Sequence, residues 1–176
     1  MSWSDEFVAL DKAIHDRASF DCGEPAINAF IRTKAAKHMK VGLSKTMVLP
    51  ASTSGPNGKY PICAFYIIAP SSIRRKTLPE KLAKKLPYYP VPVFLIGQIV
   101  VHQEYQGQGL GKISLIKALE YLWEINQLMS AYAVIVDCLN NDAEQFYSKY
   151  GFEKLFDADN SKRMYLPMNT IAELFL

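Results

Sequence analysis

Cysteine is scarce in this chain of 176 residues, and Cys22, Cys63 and Cys138 lie far apart, without a CxxC pair or a nearby pair of histidines. This spacing indicates neither a disulfide framework nor a zinc site, and we interpret all three as buried, reduced thiols. The chain also lacks an apolar run of about 18 residues that could span a bilayer. The first residues, MSWSDEF, have no basic start or apolar run typical of a signal peptide. We therefore expect a cytoplasmic protein without a membrane partner.

Acidic residues are nearly missing from one part of the chain. Residues 25–86 contain twelve Lys/Arg and one acid, Glu80, whereas the remainder has eight basic and sixteen acidic residues. The net charge of +3 conceals this segregation. Because a region of one sign concentrates partners of the opposite sign, we expect a nucleic acid or another polyanion as a partner. A solvated basic face is the alternative interpretation.

The length and the 49% hydrophobic content fit one domain over residues 1–176 with a sizeable core. Strand-like and helix-like segments alternate, which predicts an α/β fold with a mixed, mostly antiparallel central sheet flanked by helices. The predicted strands are Phe7–Leu10, Thr46–Leu49, Ile62–Ile68, Val93–Val101, Ala131–Cys138, Phe152–Leu155 and Met164–Met168. One predicted helix begins at Glu24-Pro25. The other three span Lys76–Leu86, Gly109–Gln127 and Asn140–Tyr150.

Two of these helices carry informative faces. At 100° per residue, Arg32, Lys37 and Lys40 fall on one basic face of the first helix. The helix Gly109–Gln127 is predicted to pack through one apolar stripe. That stripe consists of Ile113, Ile116, Leu119 and Leu122.

The segment from Ile99 to Lys112, IVVHQEYQGQGLGK, combines a strand end, a glycine turn and a helix start. Three alternating glycines permit positive φ and close approach of the backbone, and the helix start presents unpaired N–H groups. Such a helix N-terminus binds phosphate. The dinucleotide fingerprint fails because residue 112 is Lys, and the P-loop fails because residues 106 and 113 are Gln and Ile. A glycine turn with a purely structural role, without phosphate binding, is the alternative.

The letters that match are Q-x-x-G-x-G from Gln106 to Gly111, and here the chain resembles the GNAT superfamily of acyl-CoA-dependent N-acyltransferases. The resemblance implies acetyl-CoA as the acetyl donor and no metal. Backbone N–H groups near the end of the preceding strand are expected to stabilise the oxyanion of acyl transfer. The cofactor-binding residues implied are Ile99, Val100, Val101, Gln106, Gly107, Gln108, Gly109, Leu110, Gly111 and Lys112.

A second match runs from Asn140 through Phe146-Tyr147 to Tyr150-Gly-Phe. By resemblance to the family, Asn140 and Phe146 contact the cofactor, and the Tyr147 hydroxyl lies beside the thioester sulfur. Tyr147 is therefore predicted to be the general acid for the leaving thiolate. A purely packing role for this tyrosine is the alternative.

A narrower resemblance rests on Phe20-Asp-Cys-Gly, Ile27-Asn-x-Phe-Ile and Pro90-Val-Pro-Val-Phe-Leu-Ile, which are similar to the GNAT toxins of bacterial toxin–antitoxin modules. It implies acetylation of aminoacyl-tRNA, inhibition of translation, a small cognate antitoxin and a homodimer. Acetylation of a protein or small amine is the second hypothesis, and a non-catalytic nucleic-acid-binding module is the third. The predicted tRNA-binding residues are Arg32, Lys37, Lys40, Arg74, Arg75 and Lys76.

The need for a general base depends on the acceptor. An α-amino group with a pKa of about 7.7 to 8.0 is partly neutral near pH 7, whereas a lysine at about 10.4 requires a base. An α-amino substrate therefore makes a dedicated carboxylate base less necessary. His102 and Glu104 are the candidates nearest the predicted strand end, with a solvated loop position as the alternative.

Overall fold

The computed structural model describes residues 2–155 and 162–176. Helices lie between the strands in sequence, and the sheet is mixed and mostly antiparallel, which confirms the predicted fold class. The strand order is β1-β3-β4-β5-β6-β8-β7, with β2 beside β4. The strands are β1 (Val8–Ala9), β2 (His15–Asp16), β3 (Lys45–Pro50), β4 (Tyr60–Ile73), β5 (Val91–Val101), β6 (Ala133–Asp137), β7 (Glu153–Lys154) and β8 (Arg163–Pro167).

Six α-helices and two short 3-10 helices accompany these strands in the described part of the chain. None of the helices placed there has the length and apolarity to cross a bilayer. The α-helices are α1 (Pro25–Thr33), α2 (Ala35–Val41), α3 (Glu80–Ala83), α4 (Leu110–Asn126), α5 (Asn141–Lys149) and α6 (Met168–Ala172), and the 3-10 helices are Arg75–Thr77 and Gln103–Tyr105.

Two compact units divide the chain, and each is described by itself. The first comprises Met1–Ile68 and Gln98–Ala118, and the second comprises Ala69–Gly97 and Leu119–Leu176. The single acetyltransferase domain expected over residues 1–176 stays a prediction.

In the first unit, α1 and α2 pack on the strand pair β3–β4, which is antiparallel. Pro25 occupies the first turn of α1, where its missing N–H leaves no helical hydrogen bond unmade. The helix stops after Thr33, because Lys34 has a φ of −118° and α2 starts anew at Ala35. The sequence predicted one continuous helix here, and that prediction is wrong. The core residues of this cluster are Leu10, Phe20, Ile31, Ala35, Val48, Ile62, Phe65 and Val100.

In the second unit, β6 lies between β5, to which it is parallel, and β8, to which it is antiparallel. Its residues Ala133–Val136 are completely buried, as an apolar run without alternation predicts for a strand covered on both faces. The short helix α6 follows β8 directly and buries Met168 and Ile171, and the sequence analysis missed it. β8 supplies Tyr165 to the core cluster that also contains Ile135.

The buried face of α4 differs from the predicted stripe. Leu119 and Leu122 are buried as expected, but Ile113 is 38% exposed and Leu115 and Ala118 take the core positions. At the N-terminal end of α4, the predicted apolar face is therefore rotated about the helix axis relative to the face that is buried. The buried Ser114 fits this face because its hydroxyl donates to the carbonyl oxygen of Leu110 at 2.7 Å.

The cysteines are free thiols in two different environments. Cys63 and Cys138 are buried, as predicted, and burial raises the pKa of the Cys138 thiol to about 11. Cys22 is partly exposed, which corrects the prediction that all three are buried. Its N–H donates to the Asn28 side-chain oxygen at 2.9 Å.

Candidate active site

The glycine turn after β5 leads directly into α4 within the first unit. Gly107 and Gly109 have φ angles of +78° and +80°, a left-handed conformation that residues with a Cβ rarely adopt. No heavy atom lies within 4 Å of an added Cβ at either position. Backbone conformation therefore requires glycine at both positions, and open space borders the turn. Gly111 lies inside α4 and has no positive φ, so two of the three alternating glycines use the conformational freedom that glycine permits.

The start of α4 presents hydrogen-bond donors to this space. The N–H of Ile113 bonds to the carbonyl oxygen of Gly109 at 3.2 Å, and the N–H groups before it have no acceptor within the helix. The first turn contains no acid, and Lys112 is exposed there. Unpaired N–H groups and the positive end of the helix dipole together suit a phosphate group.

Gln106, the first residue of the Q-x-x-G-x-G pattern, uses its side chain to connect backbone segments. Its Nε2 donates to the carbonyl oxygen of Val101 at 2.9 Å and to that of Cys22 at 3.2 Å. Gln108 similarly donates to the carbonyl oxygen of Glu104 at 3.2 Å. Both side chains therefore stabilise the turn, and their predicted contacts with the cofactor stay predictions.

Asp21 anchors the neighbouring segment and was missed by the sequence analysis. Its Oδ1 accepts from the Gly23 N–H at 2.8 Å and from Asn28 Nδ2 at 2.9 Å. Its Oδ2 accepts from Gln103 Nε2 at 3.2 Å, and its carbonyl oxygen accepts the Gln103 N–H at 2.8 Å. The Gly23 N–H and, after it, the Asn28 side chain lower the pKa of Asp21, so the carboxylate is charged near neutral pH. The only signal in the sequence was the Phe20-Asp-Cys-Gly segment.

His102 is engaged at both ring nitrogens. Its Nδ1 accepts the N–H of Glu104 at 3.2 Å, so a neutral ring carries its proton on Nε2, which lies 3.3 Å from the carbonyl oxygen of Ser19. The ring also packs edge-on against Phe20 and Tyr105. This arrangement favours a structural role for His102 over that of a general base, whereas the side chain of Glu104 remains exposed.

The end of β5 contains the remaining backbone positions predicted for the site. Val100 is buried in the core cluster of the first unit, and the carbonyl oxygen of Val101 accepts the Gln106 side chain. Ile99 precedes them on the same strand and is partly buried. Whether their N–H groups serve an oxyanion stays a prediction.

Tyr147 lies on α5 in the second unit and is only 5% exposed. Its ring packs edge-on against Phe146 and Phe152, with centroids 5.2 and 5.4 Å away. Within the described residues, its hydroxyl has no hydrogen-bond partner. Burial is the main cause that raises the pKa of Tyr147, and the Coulomb effects of Cys138 and Asp137 add to it. The hydroxyl is therefore protonated at neutral pH and can donate a hydrogen bond.

Asn140 caps the N-terminus of α5. Its Oδ1 accepts the N–H of Ala143 at 2.9 Å, a typical N-cap bond. Asp142 and Glu144 add negative charge to the first turn, where the helix dipole favours it. The contacts with a cofactor that the resemblance implies for Asn140 and Phe146 stay predictions.

The first predicted tRNA-binding group does not form one helical face. Arg32 belongs to α1 and donates its Nη2 to the carbonyl oxygen of Phe20, whereas Lys37 and Lys40 belong to α2. The break at Lys34 invalidates the projection that united them. Lys37 and Lys40 are three residues apart on one helix and are both exposed.

The second group surrounds the 3-10 helix Arg75–Thr77 in the second unit. Arg74 and Lys76 are exposed. Arg75 instead donates its Nη1 to the carbonyl oxygens of Ala83, at 3.1 Å, and Leu86, at 2.8 Å. Of these three cations, Arg75 thus has a structural task, and the other two are directed to solvent.

Comparisons with known proteins agree with the resemblance to the GNAT superfamily. Residues 79–154 match the Acetyltransferase (GNAT) domain family. The chain is 31% identical over 173 residues to "Probable toxin TacT" of Sinorhizobium fredii, covering 94% of this chain and 92% of that protein. It is 28% identical over 138 residues to the "tRNA-acetylating toxin" of Mycobacterium tuberculosis, covering 78% of each protein.

Solved structures resemble the fold over nearly its whole length. A tyrosine-to-phenylalanine mutant of KacT has a TM-score of 0.89 at 25% identity, covering 99% of this chain and 100% of that one. AtaT complexed with acetyl-methionyl-tRNAfMet has a TM-score of 0.86 at 27% identity, covering 97% and 98%. AtaTR bound with AcCoA has a TM-score of 0.83 at 27% identity, covering 99% of each chain.

Proposed function

Since the chain belongs to the GNAT acetyltransferase family and is related to a TacT toxin over nearly its whole length, we propose that it is a toxin that acetylates aminoacyl-tRNA. The acetyl group comes from acetyl-CoA and is transferred to the α-amino group of the amino acid. Acetylation removes the nucleophile that peptide-bond formation needs, and translation stops.

The observation that carries this proposal is the open space beside Gly107 and Gly109 at the acid-free start of α4. A pyrophosphate can approach the backbone there because neither glycine has a side chain and no other atom fills the place of one. Lys112 adds a favourable charge, and the N–H groups of the first turn supply donors. We assign the pyrophosphate of acetyl-CoA to this turn.

Acetyl-CoA, when bound, supplies an acetyl group activated as a thioester. The chain's own contribution begins with the backbone N–H groups around Val100 and Val101, which stabilise the negative charge that develops on the carbonyl oxygen. The Tyr147 hydroxyl donates a proton or a hydrogen bond to the departing sulfur. The neutral amine first forms its bond to the carbonyl carbon, and the carbon–sulfur bond then breaks as the oxyanion collapses. The proton that the amine loses passes to solvent, and solvent returns a proton to Tyr147 if it has given one to the sulfur.

The acceptor class follows from the exposed basic residues and from the pKa of the acceptor amine. The exposed cations Lys37, Lys40, Arg74 and Lys76 suit the phosphates of an RNA. An α-amino group needs little help to lose its proton near pH 7. His102, whose two nitrogens are engaged, is therefore not required as a base, and the exposed Glu104 is the remaining candidate.

Partners and location extend the same proposal. A toxin of this type acts in the cytoplasm, where charged tRNA is made and used, and it is paired with a small antitoxin that blocks it. A homodimer would place two copies of the basic residues on one particle.

Radiolabelled acetyl-CoA, incubated with the protein and one of three acceptors, tests the proposal. We expect label on charged tRNA, and none on the same tRNA after deacylation or on total protein. Label on protein instead would favour a protein acetyltransferase. Binding of charged tRNA without any transfer would favour a non-catalytic module.

A further inference from the structure

A cavity of about 400 Å³ lies in the second unit beside the 3-10 helix Arg75–Thr77. Cations and aromatic rings line it, and none of the lining residues within the described part of the chain is an acid. Both tyrosines of the lining are exposed, Tyr88 to 90% and Tyr89 to 66%. The lining residues are Arg74, Arg75, Lys76, Tyr88, Tyr89 and Pro90.

Arg75 holds the Tyr88 ring in place. Its guanidinium carbon lies 3.7 Å from the centroid of that ring, a close cation–π contact. The same guanidinium is fixed by its bonds to the carbonyl oxygens of Ala83 and Leu86. One face of Tyr88 therefore rests on an anchored cation, while its 90% exposure leaves the other face open.

This combination differs from an ordinary solvated basic surface. A flat aromatic face is kept in water next to two exposed cations, Arg74 and Lys76, neither of which forms a salt bridge with an acid in the described part of the chain. Aromatic faces that stack bases, with cations that contact the backbone, are the means by which proteins bind single-stranded nucleic acid. An acidic peptide would satisfy the cations but would leave the aromatic face unused.

We infer that this cavity binds an unpaired nucleotide of the RNA substrate, with its base stacked on Tyr88 and its phosphates at Arg74 and Lys76. The inference rests on the proposed function, because it takes the substrate to be a tRNA, and it adds which part of that RNA is recognised. Bases within a duplex are stacked on each other and cannot reach a ring. The cavity therefore selects a single-stranded end over a helical stem.

Two labelled RNAs, a short single strand and a blunt duplex with the same number of phosphates, test this inference on the full-length protein by fluorescence anisotropy. Tyr88→Leu should weaken binding of the single strand by about tenfold, near the lower end for one stacked base, and hardly affect the duplex. Tyr88→Phe keeps the ring and should retain affinity. Tyr60→Leu, at an exposed tyrosine outside the cavity, is the matched control.

The salt dependence of RNA binding distinguishes the contribution of the cations from that of the Tyr88 ring. Arg74→Gln and Lys76→Gln should each reduce the slope of log K against log salt by about 1, because each removes a phosphate contact. Tyr88→Leu should leave the slope unchanged. An equal loss for single strand and duplex, or no loss for either, would overturn the inference. So would a poly-glutamate peptide whose binding depends on Tyr88 as strongly as that of RNA.

The acetylation assay keeps this result apart from the proposed function. If the wild type acetylates charged tRNA and Tyr88→Leu has an unchanged KM for it, the stacking inference is wrong and the function stands. If the wild type acetylates no charged tRNA, the function is wrong, while the single-strand and duplex measurements still decide what the cavity binds. Thermal unfolding of each variant shows whether it is folded.

Discussion

Gln103 donates its Nε2 to Asp21 Oδ2 at 3.2 Å, a bond between residues 82 positions apart in the sequence. It joins the Asp21–Gly23 turn to the segment that leads into the glycine turn. Because Gln106 donates to the carbonyl oxygen of Cys22 in the same place, two hydrogen bonds connect the Asp21–Gly23 turn to the start of the glycine turn. Asp21 is therefore a positioning residue in the first unit.

Removing this carboxylate should loosen the glycine turn. We expect Asp21→Ala to raise the dissociation constant of acetyl-CoA by up to about tenfold, less than the roughly hundredfold that a 1 Å displacement can cost. Asp21→Asn keeps an acceptor for the Gly23 N–H and should restore most of the affinity. Asp16→Ala is the control, because Asp16 caps a turn at the Ser19 N–H without a bond to residues 103–112. Equal effects of Asp21→Ala and Asp16→Ala, in calorimetry and thermal unfolding, would contradict the positioning role.

The glycine turn gives a second prediction. Gly109→Glu should abolish measurable acetyl-CoA binding, since it puts a negative side chain where the pyrophosphate approaches the backbone. Gly58→Glu is a matched control. Gly58 has a φ of +77° and open space beside it, so backbone strain is the same and only the site differs. If both variants bind acetyl-CoA with wild-type affinity in calorimetry, the turn does not hold the phosphates.

Charge reversal tests the basic helix α2. Lys37→Glu with Lys40→Glu should weaken binding of charged tRNA and make its salt dependence shallower, with acetyl-CoA affinity nearly unchanged. Arg32 is left intact because its bond to the Phe20 carbonyl oxygen would confound the result. Lys12→Glu, another exposed lysine of the same unit, is the control. tRNA binding that is independent of salt in the wild type would argue against a polyanionic substrate.

The sequence predicted the position of elements whose pattern lies in consecutive residues. The turn from Gln106 to Gly111 and the apolar run of β6 are both of this kind, and both were located within a few residues. The break at Lys34 was not predictable, because Thr33-Lys-Ala contains no helix-breaking residue. The extension of β4 to Ile73 was hidden by Pro70, which usually ends a strand within a sheet.

The polar network around Asp21 and the cavity beside Tyr88 were missed for a related reason. Asp21 meets Gln103 only in the folded chain, and no spacing rule connects residues 82 positions apart. The sequence analysis assigned no function to Tyr88 and Tyr89, although these adjacent tyrosines lie shortly after Lys84-Lys85 in the sequence. Their significance depends on Arg75, whose contact with the Tyr88 ring is a tertiary one.

The dependence of the rate on pH follows from two groups. Burial raises the pKa of Tyr147 above its ordinary value of about 10, so the protonated form is present at all lower pH values and is lost only as pH rises through the raised pKa. The acceptor amine is active only in its neutral form, whose fraction rises as the pH passes through about 7.7 to 8.0. We expect kcat/KM to rise through that range and to show no decline up to about pH 10. Initial rates of acetyl transfer to charged tRNA measure this pH dependence. A decline of kcat/KM between pH 7 and 9 would exclude Tyr147 as the group that supplies the proton.

Tyr147→Phe removes one oxygen and keeps the ring that packs against Phe146 and Phe152. If the hydroxyl assists the departing thiolate, kcat and kcat/KM should fall together by about 10²-fold or more, while the dissociation constants of acetyl-CoA and tRNA stay near wild type. Stability should barely change, because the hydroxyl has no hydrogen-bond partner within the described residues.

Tyr165→Phe is the matched control, for which we expect lower stability and unchanged turnover. Tyr165 is also buried, but its hydroxyl donates to Glu153 Oε2 at 3.0 Å, so its loss should lower the melting temperature and leave turnover intact. In cells, Tyr147→Phe should relieve toxicity at unchanged protein abundance, whereas Tyr165→Phe should relieve it only by lowering abundance. A Tyr147→Phe protein that acetylates charged tRNA at the wild-type rate would remove this tyrosine from the mechanism and leave Glu104 as the side chain to test next.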